Sequence, residues 1–96
     1  MERAEVVLEG RKGEVQLFSE DKKAGKMDIS VMGNKLTVYH TEVNPEYEGK
    51  GFARILLEKL ISYARENELK IVPLCPYVHA QFKRHPEEYN DVLFKD

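Results

Sequence analysis

The segment Val43-Asn44-Pro45-Glu46-Tyr47-Glu48-Gly49-Lys50-Gly51-Phe52-Ala53 has the residue types that hold an anion on a peptide backbone. An alternating apolar run ends there, a glycine-rich turn follows, and an amphipathic pattern begins. The first turn of a helix leaves about four amide N–H groups without intrahelical acceptors, and the aligned peptide dipoles add roughly half a positive charge. Gly49 and Gly51 put no Cβ between those amides and a diphosphate, and small Ala53 keeps the turn open. A charge-assisted hydrogen bond is worth roughly 1.5–3 kcal/mol. A few of them, less the entropy of association, match the ~8 kcal/mol of a micromolar nucleotide-like ligand. Other phosphate loops fit less well. A Walker A motif needs Ser or Thr after Gly-Lys, and Lys50 is followed by Gly51. A dinucleotide fold sets its turn early in a repeated βαβ array, whereas here hairpins precede one crossover. On the turn alone, a glycine-rich helix start without a ligand is an equal reading.

Further side chains with chemistry lie on either side of this turn. His40 and Glu42 are two apart on an extended run, about 7 Å along the chain, close enough to serve one acceptor or share a water. Histidine is the side chain suited to moving protons near neutral pH, so His40 is the stronger candidate base. The plainer alternative is a local hydrogen bond for His40 and a lysine partner for Glu42. Cys75 stands just before Pro76, where a helix can open. A helix N-terminus lowers a thiol's pKa and favours a nucleophilic thiolate, although a free cysteine is more often a small buried apolar side chain. Tyr77 is a weaker candidate acid, with aromatic packing as its other role. Lys83, Arg84 and His85 form a basic cluster that fits a phosphate, the C-terminal end of a helix, or a solvated face. Cys75, His40, His79 and His85 have none of the paired ligand spacings of a zinc site, so no metal is expected.

The elements that position these groups follow from periodicity. Residues 5–43 are short alternating runs broken by turn residues, which predicts strands over 6–8, 14–18, 25–31 and 36–43 with a tight hairpin at Met32-Gly33-Asn34. Strict alternation on the last run puts Leu36, Val38, His40 and Glu42 on one face and Thr37, Tyr39, Thr41 and Val43 on the other. The period then changes to about 3.6. Ala53, Leu56, Leu57, Leu60, Ile61 and Ala64 predict a helix over 51–67. Residues 70–74 read as a strand that leaves regular pairing at Pro73. Pro76 opens a second helix that Pro86 ends near Arg84, and the tail 87–94 adds a helical turn carrying Tyr89, Val92 and Leu93 to the core. The order is α+β: antiparallel strands, helix, parallel strand, helix on a mixed sheet, with a right-handed crossover.

At 96 residues the chain has room for one domain, 1–96. Its 42% hydrophobic and 33% charged residues are those of a globular protein. A net charge of −2 gives no basic surface for nucleic acid and no polybasic membrane signal. One cysteine and no apolar leader run suggest a reducing cytoplasm. So small a chain gains from dimerisation, and both monomer and homodimer are open.

Pro45 followed by Glu48-Gly49-Lys50-Gly51-Phe52-Ala53 resembles motif A of the GNAT superfamily of acyl-CoA-dependent N-acetyltransferases. His40-Thr41-Glu42-Val43, Cys75-Pro76-Tyr77-Val78 and Arg84-His85-Pro86-Glu87 extend the resemblance, over about 13–92, to a subgroup of short, stand-alone GNAT-like proteins. The resemblance implies a GNAT-like mixed sheet, acetyl-CoA as cofactor, an unidentified amine as acceptor, and acetyl transfer between them. It implies a pyrophosphate site on Gly49, Lys50, Gly51, Phe52 and Ala53, pantetheine near Val43, and the Val43 amide as oxyanion donor. His40, Glu42 and Cys75 become the catalytic candidates. Two features depart from the family pattern: Glu48 stands where Gln or Arg is usual, and the segment that makes two N-terminal helices is missing, which leaves the acceptor side open. A CoA-binding module without transfer activity and a structural interaction domain are the alternative functions.

Overall fold

Strand β1 (Glu2–Glu9) is longer than its short apolar run predicts, because β2 (Lys12–Ser19) offers a full-length partner from Glu9↔Lys12 to Glu2↔Ser19. The next strands, β3 (Lys22–Met32) and β4 (Lys35–Val43), continue the meander through two-residue turns. Gly33 takes φ 60° in the expected hairpin, while Glu20 and Asp21 both adopt the left-handed region between β2 and β3. Helix α1 (Phe52–Glu66) buries Leu56, Leu57, Leu60, Ile61 and Ala64, the predicted stripe. It ends in a Schellman arrangement with Glu68, at φ 55°, in the position glycine usually takes. There the Leu69 amide donates to the Ala64 carbonyl and the Glu68 amide to Arg65. Strand β5 (Lys70–Pro73) then pairs parallel to β4, giving a five-stranded sheet in chain order, β1-β2-β3-β4-β5. Helix α2 (Pro76–Arg84), the short α3 (Pro86–Tyr89) and a 3₁₀ turn (Asn90–Val92) complete the chain. The computed structural model describes residues 1–95.

All helices lie on one face of the sheet. The buried strand residues Val15, Leu17, Met27, Ile29, Leu36, Val38 and Ile71 join the buried stripes of α1 and α2 in one core cluster, with Tyr89 and Val92 sealing it. The backbone of β4 requires Gly25, where a Cβ would lie 2.7 Å from the Glu42 carbonyl; a Leu56 methyl of α1 packs over it at 3.4 Å. The opposite face carries Glu14, Gln16, Lys26, Asp28 and Ser30, and among the described residues no helix covers it. Its charges pair among themselves: Lys23 with Glu14 at 2.7 Å and Lys26 with Asp28 at 3.1 Å. The Lys23 ammonium, and then the Gln16 amide, hold the Glu14 carboxyl down at about 2.

One expectation about β4 is overturned. The register shifts between Asp28 and Ile29, so that Asp28 faces His40 while Ile29 faces Val38, and Tyr39 is the extra residue. This β-bulge breaks the alternation. Leu36 and Val38 point into the core as expected, but His40 and Glu42 share the open face with Asp28 and Lys26, and the half-buried Thr41 and Val43 take the core side.

Candidate active site

Strands β4 and β5 pair only from Lys35↔Lys70 to Val38↔Pro73. Pro73 cannot donate to the ladder, and the chain turns away there. The Leu74 and Cys75 amides both donate to the Val38 carbonyl, at 3.1 and 2.9 Å, and close the seam. Beyond it β4 runs on to Val43 without β5 beside it. On its other edge the Asn44 amide donates to Ala24 at 2.8 Å. Antiparallel bonding alternates, so the amides of Glu42 and His40 face β3, and those of Thr41 and Val43 face the space that β5 has left. The expected oxyanion donor, the Val43 amide, therefore sits on the splayed edge.

The same end of the sheet leads into α1. A 3₁₀ turn (Pro45–Tyr47) that the sequence reading does not contain lifts the chain off β4. Tyr47 stacks on Phe52 at 5.4 Å between ring centroids, and the Lys50 ammonium lies 5.8 Å from the Tyr47 ring. These contacts fold the turn so that the helix start is bare. Gly51 is the N-cap at φ 75°, no side chain caps the first turn, and no acidic residue occupies it. A Cβ built on Gly49 or Gly51 would meet nothing within 4 Å, so the space over the turn is free for a ligand. Ala53 is half-buried, and Lys50 and Glu48 are exposed. Phe52 offers only its backbone, since its ring is buried in the core. The residues fit a diphosphate on the amides that open α1 and an extended chain along the splayed edge of β4.

The three catalytic candidates fall into two groups. His40 Nε2 and Glu42 Oε1 stand 3.9 Å apart on the open face, with side chains 59% and 53% exposed. Cys75 lies on the helix side, only 2% exposed, as the N-cap of α2. Its Sγ is 3.1 Å from the Thr41 hydroxyl, a partner the sequence reading does not identify because strict alternation gives no reason to join them. Tyr77 is half-buried, and burial pushes its phenol up. Lys83, Arg84 and His85 stand at the far end of α2, roughly 13 Å along the axis from Cys75. Asn44 is a further unforeseen contributor: its side-chain amide donates to the Lys23 carbonyl at 2.9 Å and ties the turn to β3.

A family model described as GCN5-related N-acetyl-transferase matches residues 14–92, which include β4, the turn, the seam and α2. A GCN5-like protein from Staphylococcus aureus superposes with a TM-score of 0.65 at 26% identity, over 96% of this chain and 89% of its own. The ribosomal-protein-S18-alanine N-acetyltransferase of Escherichia coli gives a TM-score of 0.64 at 25% identity over 69% of this chain. Only 43% of that enzyme's length is matched. The PaiA N-acetyltransferase of Thermoplasma acidophilum, solved in complex with coenzyme A, shares the fold with a TM-score of 0.61 at 14% identity, over 81% of this chain and 50% of its own. No curated protein matches the chain. With the splayed seam, the bare helix start and a family match over most of its length, the chain belongs to the GCN5-related N-acetyltransferases.

Proposed function

We propose that this protein binds acetyl-CoA at the splayed end of β4 and passes its acetyl group directly to an amine that approaches from the open face. The observation that carries the reading is one juxtaposition. The free edge of β4 and the uncapped start of α1 lie together at the carboxyl ends of the two parallel strands, where open α/β sheets bind ligands. The amides of Gly51, Phe52 and Ala53 hold pyrophosphate, with Gly49 and Lys50 shaping the turn. The edge of β4 at Thr41 and Val43 accepts the pantetheine arm, and the Val43 amide supports the developing oxyanion.

Acetyl-CoA supplies a thioester carbonyl as electrophile. The amine nitrogen attacks that carbon, the C–N bond forms, and the C–S bond breaks as the thiolate leaves. The proton lost by the amine goes to His40, which Glu42 orients, and the leaving thiolate regains one from solvent. Direct transfer is favoured because Cys75 is buried against Thr41, on the face of β4 opposite His40. The lone free thiol suits a reducing cytoplasm.

Calorimetric titration of acetyl-CoA and of CoA tests the reading first, and mass analysis of an amine panel tests the transfer. Saturable binding and an acetylated amine are expected, with His40→Gln retaining CoA binding and losing most of the turnover. Absence of binding at millimolar ligand overturns it. Binding without any acetylated product leaves a CoA-binding module.

A further inference from the structure

We propose that β1 is a docking edge for a second copy of this chain: two β1 strands pair antiparallel about a two-fold axis at Val6 and join the two sheets into one. The two edges of the sheet are built differently. β5 has four residues, ends on Pro73 and is bordered by the returning tail, where Leu93 bridges Ile71 and the Phe94 amide donates to the Ile71 carbonyl at 2.9 Å. A short strand, a proline and a covering segment keep an edge from pairing with another chain. β1 has none of these. It is eight residues long, matches β2 one to one without a register shift, and contains neither proline nor lysine. Among the described residues no strand pairs with its outer edge, and Val7 and Leu8 are 48% and 37% exposed.

The ladder to β2 fixes which backbone groups are free. Glu9 and Lys12 close the hairpin across Gly10-Arg11, and at the other end the Glu20 amide donates to the Met1 carbonyl, so the odd-numbered residues of β1 exchange hydrogen bonds with β2. The amides and carbonyls of Glu2, Ala4, Val6 and Leu8 therefore point outward. An antiparallel partner must match even residues with even ones, and charge then selects the register. Centring the pair on Val6 sets Ala4 against Leu8 and Arg3 against Glu9 of the other copy, each twice by symmetry. Centring on Glu5 would set Glu5 against itself, and centring on Val7 would set Glu5 against Glu9, with like charges directly opposite. Centring on Ala4 would leave Leu8 and Glu9 outside the ladder and place the Glu2 carboxylate against Val6.

Both faces of the joined sheet gain from that register. On the helix side Ala4 and Val6 already pack against the core cluster, and Leu8 extends the row, so pairing continues it from one copy into the other. On the other face Glu9 has no ion-pair partner among the described residues. It meets Arg3, whose present partners, Glu5 at 3.8 Å and Asp21 at 3.4 Å, are exposed carboxylates. β1 lies three strands from β4, roughly 14 Å across the sheet, so the two splayed seams stand at the far ends of the joined sheet. The pairing is therefore independent of the acetyl-transfer reading.

Sedimentation velocity of the whole chain, from about 10 µM to about 1 mM, tests the pairing. A concentration-dependent shift from monomer to dimer is expected, and amide hydrogen exchange at Ala4, Val6 and Leu8 should slow as the dimer forms. Glu9→Arg turns two attractive contacts across the axis into repulsive ones and should weaken the dimer about tenfold, as should Arg3→Glu. The double exchange Arg3→Glu with Glu9→Arg restores opposite charges and should recover most of the parent's affinity, which separates the interface from a folding defect. Val6→Pro removes an outward amide at the axis, leaves the ladder to β2 intact and should abolish the dimer. A monomer at every concentration overturns the proposal. A dimer that leaves those three amides unprotected, or that Glu9→Arg and Val6→Pro do not weaken, uses another surface and overturns it too. If the double exchange fails to recover affinity, the register is wrong. Calorimetric titration of CoA should give the same result for Glu9→Arg as for the parent, and absence of CoA binding in both overturns acetyl transfer while sedimentation still decides the edge.

Discussion

Replacing Gly51 tests the phosphate turn, provided that stability and binding are read apart. A β-branched substitute such as Gly51→Val would fail at that separation. The residue sits at φ 75°, so L side chains other than Asn and Asp are strained there even though a Cβ meets nothing within 4 Å. Gly51→Ala therefore carries only the left-handed cost, about 1–2 kcal/mol. For a chain of 96 residues that lowers Tm by roughly 4–16 °C. Gly51→Asn enters the same region readily and should lie within about 0.5 kcal/mol of the parent. Both place a Cβ in the free space over the α1 amides. If pyrophosphate rests there, each loses at least one charge-assisted hydrogen bond, roughly 1.5–3 kcal/mol, or tenfold or more in the CoA dissociation constant. Thermal unfolding without ligand and calorimetric titration of CoA give the two numbers. An Asn variant as stable as the parent but weaker for CoA is the expected result. If that variant binds CoA as tightly as the parent, phosphate does not approach at Gly51; if Ala leaves Tm unchanged, the strained N-cap is wrong.

Three other outcomes follow from the packing and the charges. Leu60→Ala removes a fully buried side chain of α1 and should cost about 2–5 kcal/mol in denaturant unfolding; less than 1 kcal/mol would mean α1 is not packed as described. Glu14→Gln should lower stability by about 1 kcal/mol at pH 7, since the Lys23 pair is partly solvated. The Glu14 carboxyl is depressed to about 2, so its contribution is complete above the ordinary carboxylate range and fades as pH falls toward 2. Wild-type and variant unfolding curves should therefore converge in acid, and a constant gap down to pH 2 would refute the pairing. Cys75→Ala should leave turnover within about threefold if transfer is direct. A covalent acetyl mass on the wild type that disappears in the variant, together with lost turnover, would instead establish a two-step route through the thiol.

Sequence periodicity located most of the architecture. The spacing from Leu56 to Ala64 produced α1, the Gly49-Lys50-Gly51 turn stands at its start, and Pro73, Pro76 and Pro86 mark where β5 leaves its partner and where α2 begins and ends. These features are local: each depends on the conformations open to a residue and its near neighbours. The reach of β1 and the 3₁₀ turn at Pro45 were not legible, because the first depends on the length of β2 and the second on Tyr47 finding Phe52.

The side chains that meet at the site divide in the same way. Residue identity alone made His40, Glu42 and Cys75 the candidates, and periodicity placed His40 and Glu42 on the strand that runs into a glycine-rich helix start in an α+β chain. Which face each occupies was decided only by tertiary structure. A bulge arises from the register between two strands, here where Ile29 faces Val38 and Asp28 faces His40, and one extra residue reverses every side chain beyond it. That reversal sends His40 and Glu42 to the open face, turns Thr41 toward Cys75, and sets Tyr39 beside His40, none of which strict alternation along β4 contains.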